Sequence, residues 1–339
     1  MTPADLLGGA MLAALVLYAL LGGADFGGGV LDLLARGPRR EAQRALVERA
    51  LGPIWEANHV WLILVVVLLF ACFPPAFGAI SIGLFVPILV LLLGIVLRGA
   101  AFTFRTYDRP DPRVRVRWGL VFSASSVIAP VMLGTMVGAL ASGRVAPDGS
   151  APFAWVAPFP LATGGLALVL FAYLAAVYAA VQADRAGDAA LAGDFRARAL
   201  GAGVAVFGCA ALAGGLSFSE APAVFDGLTR RPWSIALHLA TAAAAVASFA
   251  ALWRGRFRVA RVTAACQAAL IVAGWGASQY PYLAPGLTLA SASAPRATQL
   301  AVLWGLAAGA ALLFPALALL FRTFDGARPF RVVDRPPGR

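Results

Sequence analysis

Apolar positions in this chain run in long stretches without the polar stripe of a helix lying half in water. A hydrocarbon core of roughly 30 Å takes about 20 apolar residues in helix. Such stretches predict spans near 5–33, 53–73, 79–104, 117–141, 157–183, 197–218, 233–252, 259–278 and 297–321. The expected fold is therefore an all-α polytopic membrane protein of about nine transmembrane helices. The opening run, Leu6 to Leu21, reads as the first span rather than a removable leader. Asp5 stands where a basic region would precede a signal sequence, and no Ala-x-Ala cleavage site follows. Glycine and alanine are frequent inside the runs (Gly27-Gly28-Gly29, Gly164-Gly165), which lets helices approach closely.

Composition fits this reading. The chain is 61% hydrophobic and 13% charged, about half the charge of a soluble domain. A net charge of +11 would suggest nucleic acid in a soluble protein, but its placement argues otherwise. All basic residues are arginine, and 22 of them fall in the odd-numbered connections and the C-terminal tail, against 4 in the even-numbered connections. Arginine marks the cytoplasmic side, so the N-terminus is expected outside and the C-terminus in the cytoplasm. The basic surplus then acts as a topological signal and an attraction to anionic lipid, with no nucleic-acid partner needed. Cys72, Cys209 and Cys266 sit in separate apolar runs, so packed thiols are expected, with neither disulfide nor metal site.

Ionisable residues inside a span are costly and point to function. Asp25 lies in the first span, Glu56 and His59 in the second, Arg98 in the third and His238 in the seventh. At 1.5 Å per residue, Asp25, Glu56 and Arg98 lie roughly 16, 10 and 10 Å from the basic boundary. Three charges on three consecutive helices are thus expected at similar depth. Two carboxylates facing an arginine can either pin the helices together or relay protons, and the residues leave both open. His59, one turn after Glu56, could extend a relay. Pairing His59 with His238 around a haem is disfavoured, because they belong to opposite halves of the membrane. Met132 and Met136, four residues apart, read as ordinary packing.

Four blocks carry a resemblance. Gly22-Gly23-Ala24-Asp25-Phe26-Gly27-Gly28-Gly29 comes first, followed by Gly52-Pro53-Ile54-Trp55-Glu56-Ala57-Asn58-His59-Val60-Trp61-Leu62. Arg98-Gly99-Ala100-Ala101-Phe102-Thr103-Phe104-Arg105 and Gly274-Trp275-Gly276 with Gln279-Tyr280-Pro281-Tyr282 complete the set. In order and spacing they resemble subunit II of the cytochrome bd-type quinol oxidases. The resemblance implies two four-helix bundles, 1–141 and 157–278, a peripheral helix at 297–321 and a cytoplasmic tail at 322–339. It implies a bacterial cytoplasmic (inner) membrane location and a haem-bearing subunit I as partner, with a possible small accessory subunit. That partner would hold haem b and haem d and oxidise quinol, while this chain would bind no cofactor or metal itself. The complex would reduce dioxygen to water with protons from the cytoplasm. Asp25, Glu56 and His59 would then form a proton route, with Arg98, Trp55, Asn58, Trp61 and Gln279 in structural roles. Some members carry Asp at the position of Glu56 and Gln or Glu at that of His59. An acidic residue found elsewhere at the start of the glycine block is Gly22 here, so a route through it is closed.

Two other readings compete. One is a scaffold in which Asp25, Glu56 and Arg98 form an ion-pair clasp. The other is a secondary transporter, which would show inverted repeats and charges near the midplane; neither is evident in the sequence.

Overall fold

The computed structural model describes residues 2–51, 58–107 and 112–325. Helix α1 spans Pro3–Leu33. Thr2 caps it: its hydroxyl accepts from the Asp5 N–H, and the Asp5 carboxylate accepts from the Thr2 N–H at 2.8 Å. This reciprocal pair, with Pro3 in the first turn, satisfies donors that a helix start leaves open. The amphipathic α2 (Arg40–Leu51) follows and buries Leu46 and Val47 against the bundle.

Helices α3 (Val60–Cys72) and α4 (Pro74–Gly83) are bent by 119° at Phe73. Helix α5 (Phe85–Tyr107) and α6 (Pro112–Ala141) come next, then α7 (Pro158–Arg185) and α8 (Ala189–Glu220). The short α9 (Pro222–Thr229) leads to α10 (Pro232–Trp253) and α11 (Phe257–Gln279). A small antiparallel hairpin, β1 (Tyr282–Ala284) with β2 (Leu287–Thr288), precedes α12 (Arg296–Asp325). Prolines occupy the first turn of α4, α7, α9 and α10, where the missing N–H costs nothing.

Among the described residues, eight helices are long and apolar enough to cross a bilayer, and the bent α3–α4 pair makes a ninth if it counts as one span. The expectation of an all-helical membrane protein with about nine spans holds. The third span differs in detail. It was expected from residue 79, but α5 begins at Phe85, and residues 74–83 form a separate helix. Hydropathy is blind to this break. It falls at Leu84 (φ −116°, ψ 26°), whereas the bend at Phe73 (φ −136°, ψ 56°), where the second span was expected to end, follows from Pro74-Pro75, because proline disfavours helical backbone in the residue before it.

Helix α7 is the central element, with 67% of its apolar window buried, whereas α12 has 0%. Helix α7 packs against α1, α6, α8 and α11, and α10 packs mainly on α11. The α1–α7 crossing depends on Gly27, because a Cβ there would run into the backbone carbonyl of Phe171. Close approach of this kind is how apolar helices associate where no hydrophobic force acts between them. Helix α12 lies on the outside against α1 and α3. Cys72 is buried, as expected of a packed thiol, but Cys266 is exposed on α11. An apolar flank in sequence does not say which face of a lipid-facing helix a residue occupies.

Candidate functional site

The glycine-rich second half of α1 allows α6 and α7 to close around it, and this closure buries Asp25, which is 6% exposed. A carboxylate in such a place needs hydrogen-bond partners. Asn58, itself buried, donates from Nδ2 to Asp25 Oδ2 at 2.5 Å and reaches the Leu21 carbonyl oxygen at 3.5 Å. Asn58 immediately precedes His59, the N-cap of α3, so the α1–α3 contact is what brings this donor to the acid.

His59 lies on the other side of Asn58. Its Nδ1 is 3.5 Å from the Tyr18 hydroxyl, and its ring meets Phe26 edge-on at 5.8 Å between centroids. Trp61 is buried with Tyr18, Phe26 and Phe171 in one apolar cluster that walls this side of the site.

Arg98 reaches the same place from α5 and is 3% exposed. Its Cζ lies 4.9 Å from the Phe26 ring centroid and 5.3 Å from that of Phe122, so the cation sits between aromatic faces from α1 and α6. Aromatic faces attract guanidinium, more strongly where water is excluded. Arg98 acts electrostatically on Asp25, Tyr18 and His59. Yet among the described residues no ion pair within 4.0 Å joins Arg98 to Asp25, and Arg98 Nε has no hydrogen-bond partner. A neutral amide takes the place next to the acid, and the arginine is held by rings.

The structure thus brings together Asp25, Asn58, His59, Trp61 and Arg98. Glu56 and Trp55 lie outside the described residues. Gln279 is elsewhere: it ends α11 near the N-terminal part of α1, where Gly276 packs on Leu12 and the Tyr280 hydroxyl reaches Asp5 at 3.3 Å. His238, on α10, bonds the Ser234 carbonyl one turn earlier in its own helix at 2.7 Å. Met132 and Met136 are part of the apolar packing. Among the described residues no group of three metal-ligating side chains is close enough to hold an ion.

Sequence reasoning missed Asp32. It is 3% exposed, accepts from the Ser123 hydroxyl at 3.2 Å, and has Arg44 of α2 at 3.7 Å. Tyr18, Asp25 and Asp32 are spaced by seven residues, which keeps them on one face of α1 with a drift of about 20° per step. Ser126 lies against the same helix between the two acids, where a Cβ on Gly29 would overlap its hydroxyl. The heptad spacing was visible in the sequence, but Asp32 reads there as the end of a span.

Comparison with known proteins gives a consistent picture. A family model described as cytochrome bd terminal oxidase subunit II matches residues 4–324. A stretch of 126 residues is 32% identical to cytochrome bd ubiquinol oxidase subunit 2 of Bacillus subtilis (strain 168), covering 37% of this chain and 36% of that protein. Over 129 residues the chain is 28% identical to cytochrome bd-I ubiquinol oxidase subunit 2 of Escherichia coli (strain K12), covering 38% and 33%. The aligned part of the chain therefore spans about a third of the length of these curated relatives. A chain in the structure of bd oxidase from Geobacillus thermodenitrificans superposes with a TM-score of 0.78 at 23% identity, over 96% of this chain and 99% of the other. That likeness establishes the shared fold.

Proposed function

We propose, from the premise that this chain belongs to the cytochrome bd terminal oxidase subunit II family, that it serves a quinol:oxygen oxidoreductase as its haem-free second subunit. Its partner is a haem-bearing subunit I, whose haems supply the electron-transfer and oxygen chemistry. This chain carries protons toward that partner from the arginine-rich side, which is the cytoplasmic side, and the N-terminus lies outside. The bundles 1–141 and 157–278, with the helix at 297–321 beside them, are the frame that holds the route.

The observation that carries this reading is the buried polar line on α1. Asp32 stands near the arginine-rich end, with Ser123 and Arg44 beside it. Asp25 follows two turns deeper, bonded to Asn58. His59 and Tyr18 continue the line beyond it. Each step between acids spans roughly 10 Å along the helix, so hydroxyls and ring nitrogens of neighbouring helices must serve between them. Ser126, whose hydroxyl donates to the Phe122 carbonyl oxygen at 2.7 Å, would serve between Asp32 and Asp25, and His59 beyond Asp25. Glu56, three residues before His59 in sequence, joins the route as a third carboxylate. Arg98 supplies a fixed cation that acts on Asp25, Tyr18 and His59 from between its two rings.

A second reading, that the cluster only fastens helices, is favoured by the seat of Arg98 between Phe26 of α1 and Phe122 of α6. The substitution Asp25→Asn separates the two. In the purified complex a relay variant assembles with unchanged haem absorption but consumes oxygen slowly. Loss of assembly and of haem absorption would favour the fastening role instead.

A further inference from the structure

Away from this line, at the arginine-rich end, a cavity of about 320 Å³ opens between the end of α1, the start of α2 and the first turns of α8. Arg36, Arg39, Gln43, Asp194 and Arg198 line it. The charges do not cancel. Arg39 is committed to Asp194 through two bonds, at 2.8 and 2.5 Å, and Asp188 also faces it. Gln43 donates to Asp194 at 2.9 Å and accepts from Arg198 at 2.7 Å. Arg198 also donates to the carbonyl oxygens of Leu31 and Leu34 at the end of α1, so that three of its five N–H groups are engaged. The Arg36 guanidinium has no hydrogen-bond or ion-pair partner among the described residues, and it repels Arg198. Two guanidinium groups without a directly bonded carboxylate therefore share one concavity.

We infer that this cavity binds a phosphate group, and that its source is the head of an anionic phospholipid. Phosphate oxygens bridging Arg36 and Arg198 would offset the repulsion, and guanidinium matches phosphate in two-point geometry. Basic pockets between helix ends on the cytoplasmic side are suited to lipid heads. Apolar surface lies where acyl chains would run, since Leu33 and Leu34, next to the cavity, are 49% and 53% exposed. A free phosphate ion would make no use of that surface.

Native mass spectrometry of the full chain in its purified complex tests this, with phosphatidylglycerol, phosphatidylcholine and inorganic phosphate as probes. We expect phosphatidylglycerol to be retained in preference to phosphatidylcholine. Arg36→Gln, at an exposed position where only the backbone N–H is bonded, to Gln43 Oε1, should weaken phosphatidylglycerol about fivefold, in line with ~1 kcal/mol per arginine at an anionic surface, and leave phosphatidylcholine unchanged. Asp194→Asn frees Arg39 and should tighten phosphatidylglycerol. Equal retention of the two lipids, or unchanged retention in Arg36→Gln, overturns the inference. Displacement of phosphatidylglycerol by millimolar inorganic phosphate would assign the cavity to the free ion and overturn the lipid source.

Discussion

Asp25 and Asp194 each lie near an arginine, but the protein treats the two pairs in opposite ways. At the rim of the bundle, Asp194 is gripped by Arg39 in a two-point bridge, which holds the Arg39 guanidinium above its ordinary range. In the interior, Asp25 receives a single amide from Asn58, while Arg98 rests between two rings with Nε unbonded. At the rim water screens both partners, and a bridge there adds little stability. In the interior a direct bridge would lock both charges, whereas a separated pair keeps the acid free to change its protonation. The contrast teaches that the cost of burying charge is met by different means in the two places, by a two-point bridge at the rim and by an amide and aromatic faces in the interior.

This comparison can be broken by substitution. On the proposed relay, Asp25→Asn should lower oxygen consumption by about a hundredfold or more, the usual scale for a positioned proton carrier, with haem absorption unchanged in the purified complex. Gly27→Ala should cost about 1–3 kcal/mol by overpacking the α1–α7 crossing, seen as a lower midpoint in thermal unfolding of the complex. Asn58→Ala takes the amide from a buried carboxylate and should cost about 1–3 kcal/mol; in the same unfolding measurement, a variant indistinguishable from wild type would show that Asp25 has other donors. Asp194→Asn should have the smallest effect on unfolding, and raising the salt concentration should shrink it further. If Asp194→Asn proved as damaging as Asn58→Ala, the distinction between rim and interior would fall.

Much of the fold was legible in the sequence because apolar length is a direct measure of bilayer crossing. What hydropathy could not see was direction. Residues 60–104 are apolar with few interruptions, and only Pro74-Pro75 betrays that α4 turns away from α3. The amphipathic α2 hid in a connection read only for its arginines. Within the site, counting residues from the basic boundary was enough to expect Asp25 and Arg98 at one depth. The same counting could not show that Arg98 would face rings, since Phe26 and Phe122 come from helices far apart in sequence. Asp32 escaped because a charge at the edge of a span looks like its end. The seven-residue spacing from Tyr18 through Asp25 was the signal that would have recovered it.

That spacing has a mechanical side. Three titratable groups fixed to one rod keep their separations whenever the rod shifts or tilts, so a movement of α1 would advance or withdraw all of them together. Ser126 and His59 beside them belong to other helices and would stay behind. On the proposed proton route, a displacement of a few ångströms along α1 would thus change every gap at once, and such a path would switch as a unit in place of leaking by degrees.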